Sequence, residues 1–262
     1  MPAHTLEALR LDQSVPRTSY ARAIVQEYVD AAQELFARDH LAFNMEFDLA
    51  DWCRIISHAP RTDGRNPAFV PGETPPPDDS YWLRVTHRDG RLAAIMAARY
   101  IETDLGFYDH VRDGRLWWPE LRPLPVIPTR SGPSGSMAHT GGLWVSPDPD
   151  FAGIGISWML TRLNHMIALA RWNLDWAIGV VFQKLVDKGV AANYGAEMRE
   201  LMLDAPLGPD GSRLVMYALP NSRDFLIERT RTDLVNIRNK EDQKMRDLAP
   251  FAKGKYQSTK GR

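Results

Sequence analysis

A chain of 262 residues, 44% of them hydrophobic, can bury a core without staples, and its 32 basic and 33 acidic side chains cancel to a formal charge of −1. That balance offers no global field for nucleic acid or an anionic membrane, and the single cysteine, Cys53, excludes an internal disulfide and a multi-cysteine metal cluster while fitting a reducing, cytoplasmic setting. The leading residues, MPAHTLEALRLDQ, place no apolar stretch behind a basic start, and no run approaches bilayer-spanning length, so the expected protein is soluble.

In chain order, Ile24, Tyr28, Ala31, Ala32 and Leu35 recur at helical spacing and predict an amphipathic helix over Ser19–Arg38. A shorter helix is expected over Leu49–His58, with Cys53 as a buried thiol on it, followed by a proline-rich loop over 60–80. Residues 81–87 and 92–102 read as two strands joined by a tight turn at Asp89-Gly90. Residues 103–136, with Trp117, Trp118 and scattered prolines, are too long for an ordinary connection and read as an insertion that forms a lid, a binding loop or a docking surface. Phe107, Tyr108 and the two tryptophans form either an aromatic wall over a pocket or packing beneath the loop.

A strand at 137–145, a turn at 146–152, a helix at 153–172 and an apolar strand at 174–182 form one crossover unit. A helix weakened by Gly189 is expected at 183–194, then strands at 196–203 and 213–219, and a last helix at 232–248. Residues 1–220 are expected to form the working domain, with insertions near 60–80 and 103–136. Residues 221–262, dominated by charge, are expected to form an extension. The fold class is α/β (α+β): a mixed, mostly antiparallel sheet flanked by helices, carrying a long Pro/Trp-rich insertion.

The turn into the central helix carries the chemistry. Gly153 and Gly155 lack β-carbons, the first helical N–H groups have no intrahelical acceptor, and the helix dipole favours an anion there, so a pyrophosphate has a natural seat. With its flanking strand, the stretch Leu143-Trp144-Val145-Ser146-Pro147 followed by Asp150-Phe151-Ala152-Gly153-Ile154-Gly155 resembles the GNAT acyltransferase superfamily. In that family a hydrophobic strand ending in Val-x-Pro precedes Gln/Arg-x-x-Gly-x-Gly/Ala and a long helix. Asp150 stands where Gln or Arg is usual, and it is expected to cap the helix instead.

The resemblance spans about 81–219 without the insertion, and includes Asn193-Tyr194-Gly195 before a strand. It implies acetyl-CoA or another acyl-CoA as co-substrate, no metal, and a small-molecule or peptide amine as acceptor; a homodimer is left open. It further implies that Leu143, Trp144 and Val145 flank the pantetheine, between splayed strands at 143–145 and 175–180. The amides of Ala152, Gly153, Ile154, Gly155 and Ile156 would hold the pyrophosphate. Relatives often carry a tyrosine four residues before the glycine matching Gly195, where this chain has Ala191; Tyr194 is the local substitute.

Transfer to an amine needs a base and a proton source for the leaving thiolate. His139, on the strand entering the turn, shares a face with Gly141, Leu143 and Val145 if that strand is regular, and either faces the acceptor or is a structural histidine. Glu102 is the alternative base. His165 reads as a half-buried helix residue, and His58, His87 and His110 have no metal-ligand spacing. A non-catalytic acyl-CoA-binding or regulatory module is the competing function.

Overall fold

The structure, a computed structural model, describes residues 19–62, 65–72, 79–208, 211–239 and 242–249. Residues 1–18 of the expected domain and 250–262 of the expected extension lie outside these. Helix α1, Ser19–Arg38, turns through the left-handed residue His40 into β1, Leu41–Glu46, a strand that the sequence reading passes over. Helix α2, Leu49–His58, starts where the Asp48 carboxylate accepts from the Ala50 N–H at 2.8 Å, satisfying an orphan donor. The expected hairpin is β2, Ser80–His87, and β3, Leu92–Thr103.

Beyond the insertion, which contains α3, Phe107–Arg112, come β4, Gly135–Val145, and α4, Ile156–Trp172. Then follow β5, Trp176–Phe182, and the short helices α5, Gln183–Asp187, and α6, Val190–Asn193. The chain closes with β6, Glu200–Ala205, β7, Leu214–Ser222, α7, Arg223–Arg238, and α8, Met245–Leu248.

Among the described residues seven strands lie in the order β1-β2-β3-β4-β5-β7-β6. The pairing of β4 with β5 is parallel, and the other five are antiparallel. The architecture is thus the expected mixed, mostly antiparallel sheet flanked by helices. The interior strand β3 is apolar on both sides because both faces are covered. Ala94, Met96 and Ala98 pack in one core with α1, α4 and α7, while Ile95, Ala97 and Ile101 pack in a second core with α2 and the insertion.

Several boundaries move for identifiable reasons. The helix expected from 153 begins at Ile156, because Gly153 and Gly155 take φ of 75° and 96°, outside helical backbone. The helix expected over 183–194 breaks at Gly189, φ 71°, into α5 and α6. The strands expected at 196–203 and 213–219 fall at β6 and β7.

The insertion is not structureless. Phe107, Tyr108, Val111, Leu116, Trp117 and Leu124 are buried in the second core. The Tyr108 hydroxyl donates to Glu200 at 2.6 Å and the Ile127 N–H to Met202 at 2.9 Å, so the segment is bonded to the outer β6–β7 hairpin.

Nor does the stretch from 221 behave as a charged appendage throughout. Ser222 caps α7, whose Leu226, Leu234 and Ile237 enter the first core, and its Asp233 pairs with Arg162 of α4 in a buried ion pair. The charge there is partly internal, which masked the start of α7, and the single helix expected at 232–248 is instead the end of α7 and the separate α8. Among the described residues no helix is long and apolar enough to cross a membrane, and no group of three His, Cys, Asp or Glu side chains could hold a metal ion.

Candidate active site between the diverging strands

The site begins with an irregularity in β4. Pairing with β3 runs to Ala97↔Gly141 and resumes at Ile95↔Trp144, so Met96 faces two residues of β4. This is a bulge, and Gly142 at φ 58° supplies the left-handed residue it needs; a β-carbon there would run into the Trp52 ring. A bulge inverts side-chain alternation. Leu143 and Val145 therefore pack toward α4 in the first core, whereas His139 faces the second, and the expectation that these residues share a face fails.

The bulge coincides with a parting of strands. β4 pairs with β5 only from Met137↔Trp176 to Thr140↔Gly179. β4 then continues to Val145 on β3 alone, and β5 to Phe182 on β7 alone. The splayed segments are 141–145 and 180–182, so residues 176–179, expected to be splayed, are paired. Backbone polar groups along the two facing edges are left to find partners in whatever enters the cleft.

At the end of β4 the chain turns into α4. The Asp148 carbonyl accepts from the Phe151 and Ala152 N–H groups at 2.9 Å each, so the Ala152 amide is committed to the turn, contrary to its expected ligand role. Asp150 does not cap α4. Its carboxylate lies 2.8 Å from Arg91, which also holds Asp148 at 2.7 Å and Asp89 at 2.9 Å and stacks its guanidinium over Phe151 at 4.9 Å. The Asp150 N–H and then Arg91 hold the Asp148 carboxyl below its ordinary range.

The cap residue of α4 is Gly155, without any side-chain cap. The first helical rung is Met159 N–H to Gly155 C=O at 3.2 Å, so the N–H groups of Ile156, Ser157 and Trp158 have no intrahelical acceptor. One side of the turn is covered by α8: a β-carbon on Gly155 would stand 2.9 Å from the Met245 carbonyl oxygen. Gly153, by contrast, has open space around it.

His139 is fully buried between Phe69, stacked at 5.3 Å, and Trp117, edge-on at 5.6 Å. Its Nδ1 lies 3.2 Å from the Ile178 carbonyl, which can only accept, so Nδ1 carries the proton and Nε2 is a bare acceptor. Among the described residues Nε2 has no hydrogen-bond partner. Burial first, then the nearby Arg99 charge, pushes the pKa down to about 3, keeping the ring neutral.

Tyr194, after α6, packs with Val181 and Leu219 on the β5 side, and burial pushes its phenol up to about 12. Ala191 is buried beside it. Glu102 is exposed, opposite Ser136 near the far end of β3, and strand alternation puts it on the face away from Arg99. Trp144 turns into the second core and donates to the Pro60 carbonyl at 2.9 Å, while Ile154 is half-buried in the first.

The fold thus gathers Leu143, Val145 and Gly153 to Ile156 along the cleft, with His139 at its inner end and Tyr194 on the opposite strand's side. Glu102 is left out. The sequence reading missed Arg99, Arg91 and Asn66; an arginine inside the apolar run 92–101 was the visible signal for the first.

Beneath the last paired rung, Thr140 Oγ1 lies 3.1 Å from His165 Nε2, and Arg229 Nη2 lies 3.2 Å from His165 Nδ1. Since a guanidinium only donates, His165 Nδ1 accepts and Nε2–H donates to Thr140. His165 is a satisfied buried histidine.

No family model matches the chain, and no curated protein matches it. Solved structures that align with it include Arabidopsis thaliana NAA60 in complex with acetyl-CoA, 12% identical, covering 70% of this chain and 99% of that chain with a TM-score of 0.41. A spermidine N-acetyltransferase SpeG from Vibrio cholerae is 10% identical, covering 72% and 98% with a TM-score of 0.42. AAC(6')-Ib in complex with paromomycin and acetyl-CoA is 12% identical, covering 72% and 97% with a TM-score of 0.39.

Proposed function

We propose that this chain is a GNAT-type enzyme that binds an acyl-CoA, with acetyl-CoA as the first candidate, and transfers the acyl group to an amine. The observation that carries the reading is the cleft between β4 and β5, which opens at the Gly142 bulge and ends at the α4 amides of Ile156, Ser157 and Trp158. The pantetheine amides would pair with the strand edges as an added strand, and the pyrophosphate would sit at the helix N-terminus. Arg91 suits this arrangement because it offsets Asp148 and Asp150, which would otherwise repel phosphates.

In the transfer step the amine nitrogen forms a bond to the thioester carbonyl carbon, the C–S bond breaks, and the thiolate leaves. The amine loses one proton and the thiolate gains one. His139 is too weak a base to strip an ammonium, so its Nε2 receives an N–H of an amine that attacks in neutral form. Tyr194, held protonated, gives its proton to the thiolate and is restored, by way of solvent, by the proton that the amine nitrogen releases after attack.

Calorimetric titration with coenzyme A and acetyl-CoA tests the donor site, and no heat at millimolar ligand would remove the reading. The second reading, a non-catalytic coenzyme-binding module, is favoured by Ala191 and by the low basicity of His139. Thiol release across a panel of amines separates the two: turnover that Gly155→Trp abolishes excludes the passive module.

A further inference from the structure

Tyr194 sits in a turn with little to hold it from within. α6 is a single helical turn set between Gly189 and Gly195, at φ 71° and 63°, and the carbonyls that follow it have no intrahelical donor. Their partner comes from α7, 35 residues further on. Arg229 Nη1 donates to the Gly195 carbonyl at 2.7 Å and to the Tyr194 carbonyl at 3.3 Å, so one guanidinium fills two consecutive carbonyls. Arg162 of α4 presses on the same turn: a β-carbon on Gly195 would stand 2.7 Å from its Nη2 and 3.3 Å from Arg229 Cδ. Arg162 is in turn held by Asp233, one helical turn after Arg229 on α7.

The other arm of Arg229 faces inward. Its Nη2 lies 3.2 Å from His165 Nδ1, and His165 Nε2 lies 3.1 Å from Thr140 Oγ1. Thr140 pairs with Gly179 in the last rung that β4 and β5 share. A continuous hydrogen-bonded chain therefore runs from the carbonyls of Tyr194 and Gly195, through Arg229 and His165, to the fork of the sheet, and each link is a donor meeting an acceptor. Bonded at both terminal nitrogens, 8% exposed and lying over Phe225 at 5.6 Å, the guanidinium has little freedom to turn. A lysine would carry the charge, but with its donors on one nitrogen it could not span the carbonyls and the imidazole together.

Resting on the acyltransferase reading, we propose that Arg229 is a positioning residue for the transfer step: it sets the Tyr194 turn against the fork, so that the phenol meets the thiolate as the C–S bond breaks. Arg229 itself touches neither coenzyme nor acceptor. α7 is then part of the working site as well as a cover for the sheet.

Four proteins test this: wild type; Arg229→Met, which keeps the stem and removes every donor; Arg229→Lys; and Leu234→Ala, which loosens α7 in the first core without touching the turn. Each is titrated with coenzyme A, and thiol release from acetyl-CoA is followed across a panel of amines. Arg229→Met should lower kcat by about tenfold to a hundredfold, the effect of a misplaced catalytic group, while coenzyme A affinity and the KM for acetyl-CoA stay nearly unchanged. Arg229→Lys should recover part of the loss. A loosened turn also admits water to the phenol, which burial otherwise holds at about 12. A basic limb near the ordinary tyrosine value of about 10 should therefore enter the kcat profile of Arg229→Met and be absent from wild type and Leu234→Ala.

Should Arg229→Met not fold, Arg229→Lys carries the same two readouts alone. If the Arg229 variants lose no more kcat than Leu234→Ala, or show no basic limb, Arg229 only ties helix to sheet, and the proposal is overturned while the acyltransferase reading stands. If coenzyme A binds but no amine turns over, the proposal falls with the transfer step and the donor site remains. If coenzyme A fails to bind, both fall.

Discussion

Gly155 and Met245 meet at the mouth of α4, where a β-carbon on the glycine would stand 2.9 Å from the methionine carbonyl oxygen. This contact joins the turn to α8, which is held to the end of α1 by Met245 N–H to Asp39 at 3.3 Å and Arg38 to the Gln243 carbonyl at 3.0 Å. Gly155→Ala must therefore carry both a left-handed backbone penalty and a backbone clash. It should cost about 2 kcal/mol or more and weaken coenzyme A binding. Gly153→Ala meets open space and should cost only the conformational part, about 1 kcal/mol. Denaturant midpoints of the two variants check this, and equal losses would mean that α8 does not press on the turn.

Arg91 bridges Asp89, Asp148 and Asp150 on the outside of the same turn. Removing it with Arg91→Ala exposes the proposed pyrophosphate seat to two uncompensated carboxylates. Coenzyme A affinity should fall several-fold at low ionic strength and recover part of that loss in high salt, where the repulsion is screened. Calorimetry at two salt concentrations reads the effect. An unchanged affinity would place the diphosphate elsewhere.

How far the chain was legible follows from where its signals are local. The boundaries of α1 and α2 can be read because their apolar residues keep helical spacing, and the β2–β3 hairpin because Asp89-Gly90 marks its turn. β1 escaped because six residues between two helices leave little periodicity to detect. The start of α7 escaped for a different reason, the helix expected at 232–248 catching only its end: Arg229 and Asp233 look like surface charges, yet both are buried, and only the fold reveals what they face. The glycine turn was visible as a motif, but the exit of Asp150 toward Arg91 depends on a hairpin nearly sixty residues away. Likewise the convergence of Arg99, His139, His110 and Asn66 joins β3, β4, α3 and the loop at Asn66, which no spacing rule encodes.

Arg162 and Asp233 form an ion pair between α4 and α7, with Arg162 Nη1 2.6 Å from Asp233 Oδ1 and both side chains under 10% exposed. Breaking such a pair strands a buried charge, whereas replacing both partners with apolar groups is often tolerated. Asp233→Ala should therefore cost about 3–5 kcal/mol. The double change Arg162→Met with Asp233→Leu should recover most of it. Guanidinium unfolding of the three proteins decides the matter, and an Asp233→Ala variant within 1 kcal/mol of wild type would show that α7 does not depend on the pair.

Acid should destabilise this fold well above the carboxylate range. Burial, followed by the Arg99 charge, pushes His110 down to about 4 and His139 to about 3, and burial with Arg229 and Arg162 depresses His165 in the same direction. In the unfolded chain each takes up its proton near the ordinary value of 6.5. Between that value and the folded values the unfolded state binds more protons, so stability rises with pH and is lost on acidification. For His110 alone the loss between pH 6.5 and pH 5 is on the order of 2 kcal/mol, and the other two add with the same sign. Asp148, Glu200 and Asp204 are also held low, but their stabilisation is lost only below the ordinary carboxylate values, so a comparison of pH 7.5 with pH 5 isolates the histidines. The guanidinium midpoint should be lower at pH 5, and His110→Gln should flatten that dependence. Equal midpoints at the two pH values would show that these rings are solvated rather than sealed in the core.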